Sequence, residues 1–393
     1  MLLKETIDSA NTGLDAIKKA PIVNENTGIK CLRIGDVSNK KIYEDWGNTK
    51  VSKDNYEKFK LTKGDILIAR TGNTIGCNLY IDNEYSSVFN NGLIRLKINN
   101  NIADSKFIYY TLQQKKYMNY IDGIAFGTST QPNMKINDLL QFEIPNFSLK
   151  IQKKTVKILS NIDNKIELNN KINNNLETLC QNYFLELFIK NSSENCFNGV
   201  IADLGTIVSG ATPSKKNLNY YTNVGIPWIT PKDLSKTSNK FISRGELDIS
   251  ELGFRNSSVK LLPKGSVLFS SRAPIGYIAI CSNEVTTNQG FKSIIPFENI
   301  GTEFLYYFLK NNVEFLESRA SGSTFKEISS AIMSTTPALI PKKEPLEFFK
   351  KNCSDIFKKQ YTLEKENMLL TNLKNYLLPK LMNGEIDIEK IEL

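Results

Sequence analysis

The sequence predicts an α+β fold: two similar mixed α/β domains joined by two long antiparallel coiled-coil helices and related by an internal pseudo-two-fold repeat. Two observations carry this reading. Short motifs recur along the 393-residue chain at an offset near 197, and each half closes on a stretch whose apolar residues step by sevens. Twice the offset is almost the full length, so the chain reads as two copies of one unit, each a globular part followed by a helix.

The first globular part is placed at residues 1–145 and the second at 198–340. Gly28-Ile29, followed by Asp36-Val37, returns as Gly225-Ile226 followed by Asp233-Leu234. KGDILIARTGNTIG from Lys63 returns as KGSVLFSSRAPIG from Lys264, and FNNGLI from Phe89 as TNQGFK from Thr287. FIYYTL at Phe107 matches FLYYFL at Phe304, GTST at Gly127 matches GSTF at Gly322, and Ile144-Pro145 matches Ile340-Pro341. DILIAR and SVLFSS are short apolar runs bounded by Gly and charged residues, the form of buried strands, and LIRLKI (Leu93 to Ile98) is another. Phe107 to Tyr120 and Phe304 to Leu316 read as helical. Short linkers are expected near Asn191 to Asn198 and Pro341 to Pro345.

The first long helix is placed at residues 146–192. Stepping by sevens gives Ile151, Ile158, Lys165, Ile172 and Leu179, with Thr155, Ile162, Asn169, Leu176 and Tyr183 completing a 3,4-spaced seam. Lys165 breaks the apolar set, and Ile166 can turn into its place. No Pro or Gly interrupts the stretch from Leu149 to Phe188, and about 40 residues would span roughly 60 Å. An ordinary amphipathic core helix is the plainer reading, but this one exceeds the usual globular length. The second helix, residues 343–386, repeats the pattern 198 positions on as Phe349, Ile356, Leu363, Leu370 and Leu377, followed by Cys353, Gln360, Asn367, Lys374 and Leu381. Asn169 and Asn367 therefore hold equivalent places, where a polar residue weakens a seam but fixes its register.

An excess of nine positive charges, with pI near 9.0, suits a polyanionic partner, although solubility alone would also account for it. The absence of His removes the common Ser-His-Asp, Cys-His and His-metal chemistries. The six Cys are scattered without CxxC or zinc spacing and read as thiols in a reducing compartment. The first residues do not form a signal peptide, and the most apolar stretch, Ser266 to Cys281, is broken by Arg272 and too short to span a bilayer. A cytoplasmic protein is expected. There is no Gly-Lys phosphate loop, no GxGxxG, no Pro-Pro pair and no Pro-Asp pair. Acid pairs such as Glu344 and Glu347 read as solvated helix surface. Binding is therefore the better hypothesis. Two similar heads within one chain suit a pseudo-dimeric DNA reader with two half-sites, and because the heads differ in sequence the target should be bipartite and asymmetric.

GIPWITPKDL (Gly225 to Leu234), SSVKLLPKGSVLFSSRAPIGY (Ser257 to Tyr277), TTNQGF (Thr286 to Phe291) and YLLPKLMNGEI (Tyr376 to Ile386) give the chain its resemblance to the specificity subunits of type I restriction–modification systems. The first unit matches more loosely, with RTGNTIG for SRAPIG and NNG for NQG. The resemblance implies two target recognition domains, each reading one half of a split double-stranded DNA sequence. It also implies helices that set the gap and dock two methyltransferase subunits. Those partners would bind S-adenosylmethionine and methylate adenine. Two restriction subunits, with ATP and Mg, would add cleavage of unmodified DNA. The chain itself would need no cofactor and no metal.

Residues shared by both copies, such as Lys63/Lys264, Gly76/Gly276 and Gly92/Gly290, read as scaffold. Residues that read DNA should lie where the copies diverge, at 38–61, 212–223 and 235–256 and in the loops Arg70–Asn73 and Ser271–Arg272. The candidates are Arg70, Thr71, Asn73, Ser271 and Arg272 for bases, since Arg bonds guanine twice in the major groove. A phosphate contact or an internal ion pair is the alternative for both Arg. Lys215, Lys216 and Lys240 are the candidates for phosphate. The rival readings are a specificity subunit of a methylation-only or related defence complex and a helical protein-assembly scaffold that does not read DNA, with an enzyme acting alone a distant third.

Overall fold

The computed structural model describes residues 1–125, 133–272, 274–322 and 326–390; the motif at Gly127 and most of its counterpart after Gly322 lie outside them. The chain divides into two compact units, Met1–Asn164 with Leu370–Leu393, and Lys165–Leu369.

In the first unit the run Ile66–Ala69 is buried on both faces and forms a central strand of a four-stranded antiparallel sheet, flanked by Leu93–Ile98 and Asn78–Tyr80. Ile7–Thr12 closes the far edge. A second small sheet runs Ile22–Val23, Gly47–Thr49, Lys30–Leu32, Ser87–Phe89, with only the last pair parallel. Asp104 caps the helix Ser105–Thr111 by accepting from the amides of Lys106 and Phe107. The single helix expected from Phe107 to Tyr120 is broken, and a second helix spans Lys115–Ala125. At the break the Asn78 side chain donates to the Leu112 carbonyl at 3.0 Å, a partner that would otherwise lie four residues on. The ends of this globular part meet, Leu3 N donating to Phe142 O and Ile144 N to Met1 O.

The second unit repeats this plan. Its larger sheet runs Gly205–Ser209, Lys292–Pro296, Val267–Ser271, Ile275–Cys281, Phe241–Ile242. Its smaller sheet runs Tyr221–Thr222, Leu247–Ile249, Ile226–Ile229, Thr286–Thr287, again with the last pair parallel. Thr302–Asn311 and Val313–Ser318 replace the one helix expected there. The segments read as linkers contribute strands: Cys196–Val200 pairs antiparallel with Pro337–Pro341, the counterpart of the meeting ends in the first unit. Hydrogen bonds along a paired edge need no particular side chain, so composition alone does not reveal them.

The long helices are Leu149–Phe184, which continues as a π-helical stretch Leu185–Lys190, and Lys343–Met382. Within the first unit Asp163 pairs with Lys374, and Lys154 approaches the carbonyl of Ile388, so the two helix segments run antiparallel. Within the second unit Asn169 meets Asn367, Asn173 meets Glu364 and Glu177 meets Gln360, which is the same sense. The buried line of the first helix passes through Gln152, Thr155, Leu159, Ile162, Asn169, Cys180 and Phe184. Thr155, Ile162 and Asn169 are buried as the second set of the seam expects, whereas Gln152, Leu159 and Cys180 lie one residue after the expected Ile151, Ile158 and Leu179, and Phe184 one after Tyr183. Leu179 is 45% exposed, while Ile151, Ile158, Ile172 and Leu176 are half-buried. Buried Gln152 explains the shift, because it donates to Phe147 O and accepts from Asp104 N, and a count of apolar residues passes over it. In the second helix Phe349, Cys353, Gln360, Leu363 and Leu381 are buried, and Ile356, Asn367, Leu370 and Leu377 are half-buried.

Candidate nucleic-acid interface

Each unit carries the same rim of loops at one end of its sheets. In the first unit Leu14 N donates to Phe89 O and Asn91 N to Leu14 O, which ties the turn after Thr12 to the Asn90-Asn91-Gly92 loop. Arg70 N then donates to Gly92 O at 3.0 Å, and Met134 N to Arg70 O at 2.8 Å. The second unit reproduces the set. Ala211 N donates to Thr287 O, Ser271 N to Gly290 O at 2.8 Å, and Ile328 N to Ser271 O at 3.0 Å. Gly76 and Gly276 adopt positive φ (84° and 96°), and a Cβ at either would strike Ile121 or Val313, so these two serve the frame.

These bonds decide which residues correspond. Arg70 corresponds to Ser271, and Thr71 to Arg272, so the two Arg are not equivalent. Ser271 is buried and its hydroxyl donates to Gly290 O, which takes its side chain away from any ligand. Arg70 is half-buried and donates through Nε (3.3 Å) and Nη2 (3.0 Å) to Asn133 Oδ1. Arg272 lies 3.8 Å from Glu327, which also faces Lys292 at 3.4 Å. Asn73 and Asn91 in one unit, and Gln289 in the other, are exposed on the rim.

Lys215 and Lys216 are exposed on the loop that follows Ala211. Their counterparts, missed from the motifs alone, are Lys18 and Lys19, 197 positions earlier and equally exposed. The loop that carries them is stiffened by Asp15, whose carboxylate accepts from Ile17 N and Lys18 N; the amides of Lys18 and Ile17 hold that carboxyl below its usual range. The offset that relates the other motifs also relates these two pairs.

Lys240 is a correction. Its side chain is 4% exposed, its ammonium sits 2.5 Å from Glu177, donates to Gln360 Oε1 at 2.6 Å and lies 4.0 Å from the Phe357 ring centre. An aliphatic stem packed among aromatic rings with its charge paired inside cannot reach phosphate. Burial works to raise the Glu177 carboxyl, but Lys240 and Lys310 outweigh it and hold it down at about 2. The first unit has a simpler version, with Tyr110 donating to Asp163 at 2.7 Å and Lys374 pairing with the same carboxylate.

The rim offers amides, guanidinium groups and ammonium groups on loops held by backbone bonds, the groups that recognise base edges and phosphates. Among the described residues there is no cluster of His, Cys, Asp and Glu that could hold a metal ion. The profile described as the type I restriction modification DNA specificity domain matches residues 4–178 and 198–375. The chain belongs to that family. Two such domains thus account for both repeats. The role of the chain is sequence specificity in restriction–modification, without catalysis of its own. The MjaIX specificity subunit of Methanocaldococcus jannaschii is 43% identical over 37% of this chain and 34% of that protein. The HindI specificity subunit of Haemophilus influenzae is 26% identical over 92% and 95% of the two chains. In fold the chain is similar to the crystal structure of an S subunit from M. genitalium, with 18% identity, coverage of 97% and 95%, and a TM-score of 0.64. No helix among the described residues is long and apolar enough to cross a membrane.

Proposed function

We propose that each unit reads one half of a bipartite, asymmetric double-stranded DNA target, and that the chain directs adenine methylation by two partner methyltransferase subunits. Two restriction subunits join them where the system carries cleavage. One observation supports this most: the same backbone frame is built twice, yet the side chains it presents differ, Arg70, Asn133 and Asn91 on one rim and Arg272, Glu327 and Gln289 on the other. A protein selecting one sequence twice would keep those side chains alike. Lys18-Lys19 and Lys215-Lys216, retained in both copies and exposed, suit phosphates, which every sequence offers. S-adenosylmethionine, ATP and Mg belong to the partners in this reading, and the complex works in the cytoplasm.

Exposed apolar residues on the long helices, Leu168, Leu179, Met368, Leu369, Leu373 and Tyr376, supply surface for protein partners. The same surface suits the rival reading of a scaffold without DNA readout. Co-expression with a methyltransferase subunit, followed by mapping of modified adenines across the host genome, separates the two. A split, asymmetric motif with a fixed gap is the expected outcome. Methylation on a short continuous motif, or none, would favour the scaffold.

A further inference from the structure

We propose that Asn133 and Glu327 are the specificity-determining residues of the two units, a proposal that rests on the reading of one half-site per unit. In both units the chain returning from the helical half makes a single antiparallel bridge to the residue that follows Arg70 or Ser271, Thr71 with Asn133 and Arg272 with Glu327. The following residues, Met134 and Ile328, are buried at 1% and 0% exposure and donate to Arg70 O and Ser271 O. In extended backbone a buried side chain at one position sends its neighbour to the opposite side. Asn133 is accordingly exposed, and the Glu327 side chain is 41% exposed. The bridge and its buried neighbour are built in the same way twice, with Glu327 bridged in addition to Ser321, and the side chain delivered changes from a neutral amide to a carboxylate.

That change alters what a base edge meets. Asn133 uses its carbonyl oxygen to hold Arg70, leaving its amide group to donate and Arg70 Nη1 outside that pairing. Amide and guanidinium side by side both donate, which favours a purine edge through its N7 acceptor, and guanine over adenine through O6. Glu327 only accepts. Its cationic neighbours stand at 3.4 Å and 3.8 Å, beyond the ~2.7–2.9 Å of a tight charge-assisted hydrogen bond, so its oxygens retain capacity to accept. A carboxylate there accepts from an exocyclic amine, cytosine N4 or adenine N6, and repels the carbonyl edges of guanine and thymine.

The test uses the full chain with its methyltransferase partners and compares the methylated motif of the parent with those of Glu327→Gln and Asn133→Glu. Each variant is expected to change base preference at one position of one half-site, by roughly 5- to 150-fold, with the other half-site and the gap unchanged. Thermal melting checks each fold; the two sites lie in different units, so a variant that fails to fold leaves the other to decide. Parental preference at every position, or weakening that is uniform across sequences, would overturn the proposal and leave Glu327 as the counter-ion of Lys292. A parent that selects no split motif would instead remove the half-site reading, and this inference with it.

Discussion

Lys240 and Glu177 show how a charge in the sequence can be misread when its depth is unknown. Removing Lys240 leaves Glu177 to Lys310 and Tyr307 and deletes one charge-assisted hydrogen bond, so Lys240→Met should destabilise the second unit by about 2 kcal/mol in urea unfolding. Pairing that change with Glu177→Gln should restore much of the loss. DNA binding by the folded Lys240→Met protein should keep its salt dependence, which removal of a phosphate-binding group would not allow. The same pair predicts an acid response. Glu177 ordinarily titrates near 4.5 and is held at about 2 in the fold, so its contribution is fully present above pH 4.5 and is lost as pH falls toward 2. The drop corresponds to roughly 3 kcal/mol. Buried Glu364 is pushed upward by burial and acts in the opposite sense, so the comparison that isolates Glu177 is the parent against Glu177→Gln between pH 5 and 2. A variant with the same acid midpoint as the parent would contradict the assignment.

Among the elements, the loops bearing Lys18-Lys19 and Lys215-Lys216 carry a prediction about ionic strength. Replacing all four Lys with Ala should reduce the slope of log binding constant against log salt by roughly 0.9 for each phosphate no longer neutralised, with the preferred sequence unchanged. Filter binding at several salt concentrations reads this directly. The helix pair carries another. Asn169 Nδ2 donates to Asn367 Oδ1 at 2.9 Å inside the seam, so changing both residues to Leu should raise the melting temperature while loosening the pairing; size-exclusion chromatography would show added oligomers. How much was legible follows from the same elements. The strands Ile66–Ala69 and Val267–Ser271 were readable because burial on both faces demands an unbroken apolar run. The duplication was readable because motif order survives divergence. One of the two rows of the first helix's seam is displaced by one residue, with Gln152 buried through hydrogen bonds that hydrophobicity does not register, while Thr155, Ile162 and Asn169 of the other row are buried as expected. The correspondence of Arg70 with Ser271 is already legible in the ungapped runs DILIAR and SVLFSS, and the bonds to Gly92 and Gly290 agree with it.

For the molecule as a whole, duplication followed by divergence predicts modular exchange. Replacing residues 1–145 with the matching part of another family member should alter one half of the methylated motif and leave the other half intact, as read by methylome mapping; change in both halves would refute independent heads. A last consequence follows from the composition of the first unit. Its core gathers Leu3, Ile66 and Phe107 together with Leu378, Leu381, Met382 and Ile388, whereas the second unit is one continuous stretch. The unit whose residues leave the ribosome first is therefore the last to be finished. Its apolar face must wait, unfilled, for almost the entire chain to be translated, and premature termination near residue 369 should expose residues 1–164 to protease while sparing 165–369. Synthesis itself thus acts as a proofreading step: only a chain read through Ile388 owns a complete first head.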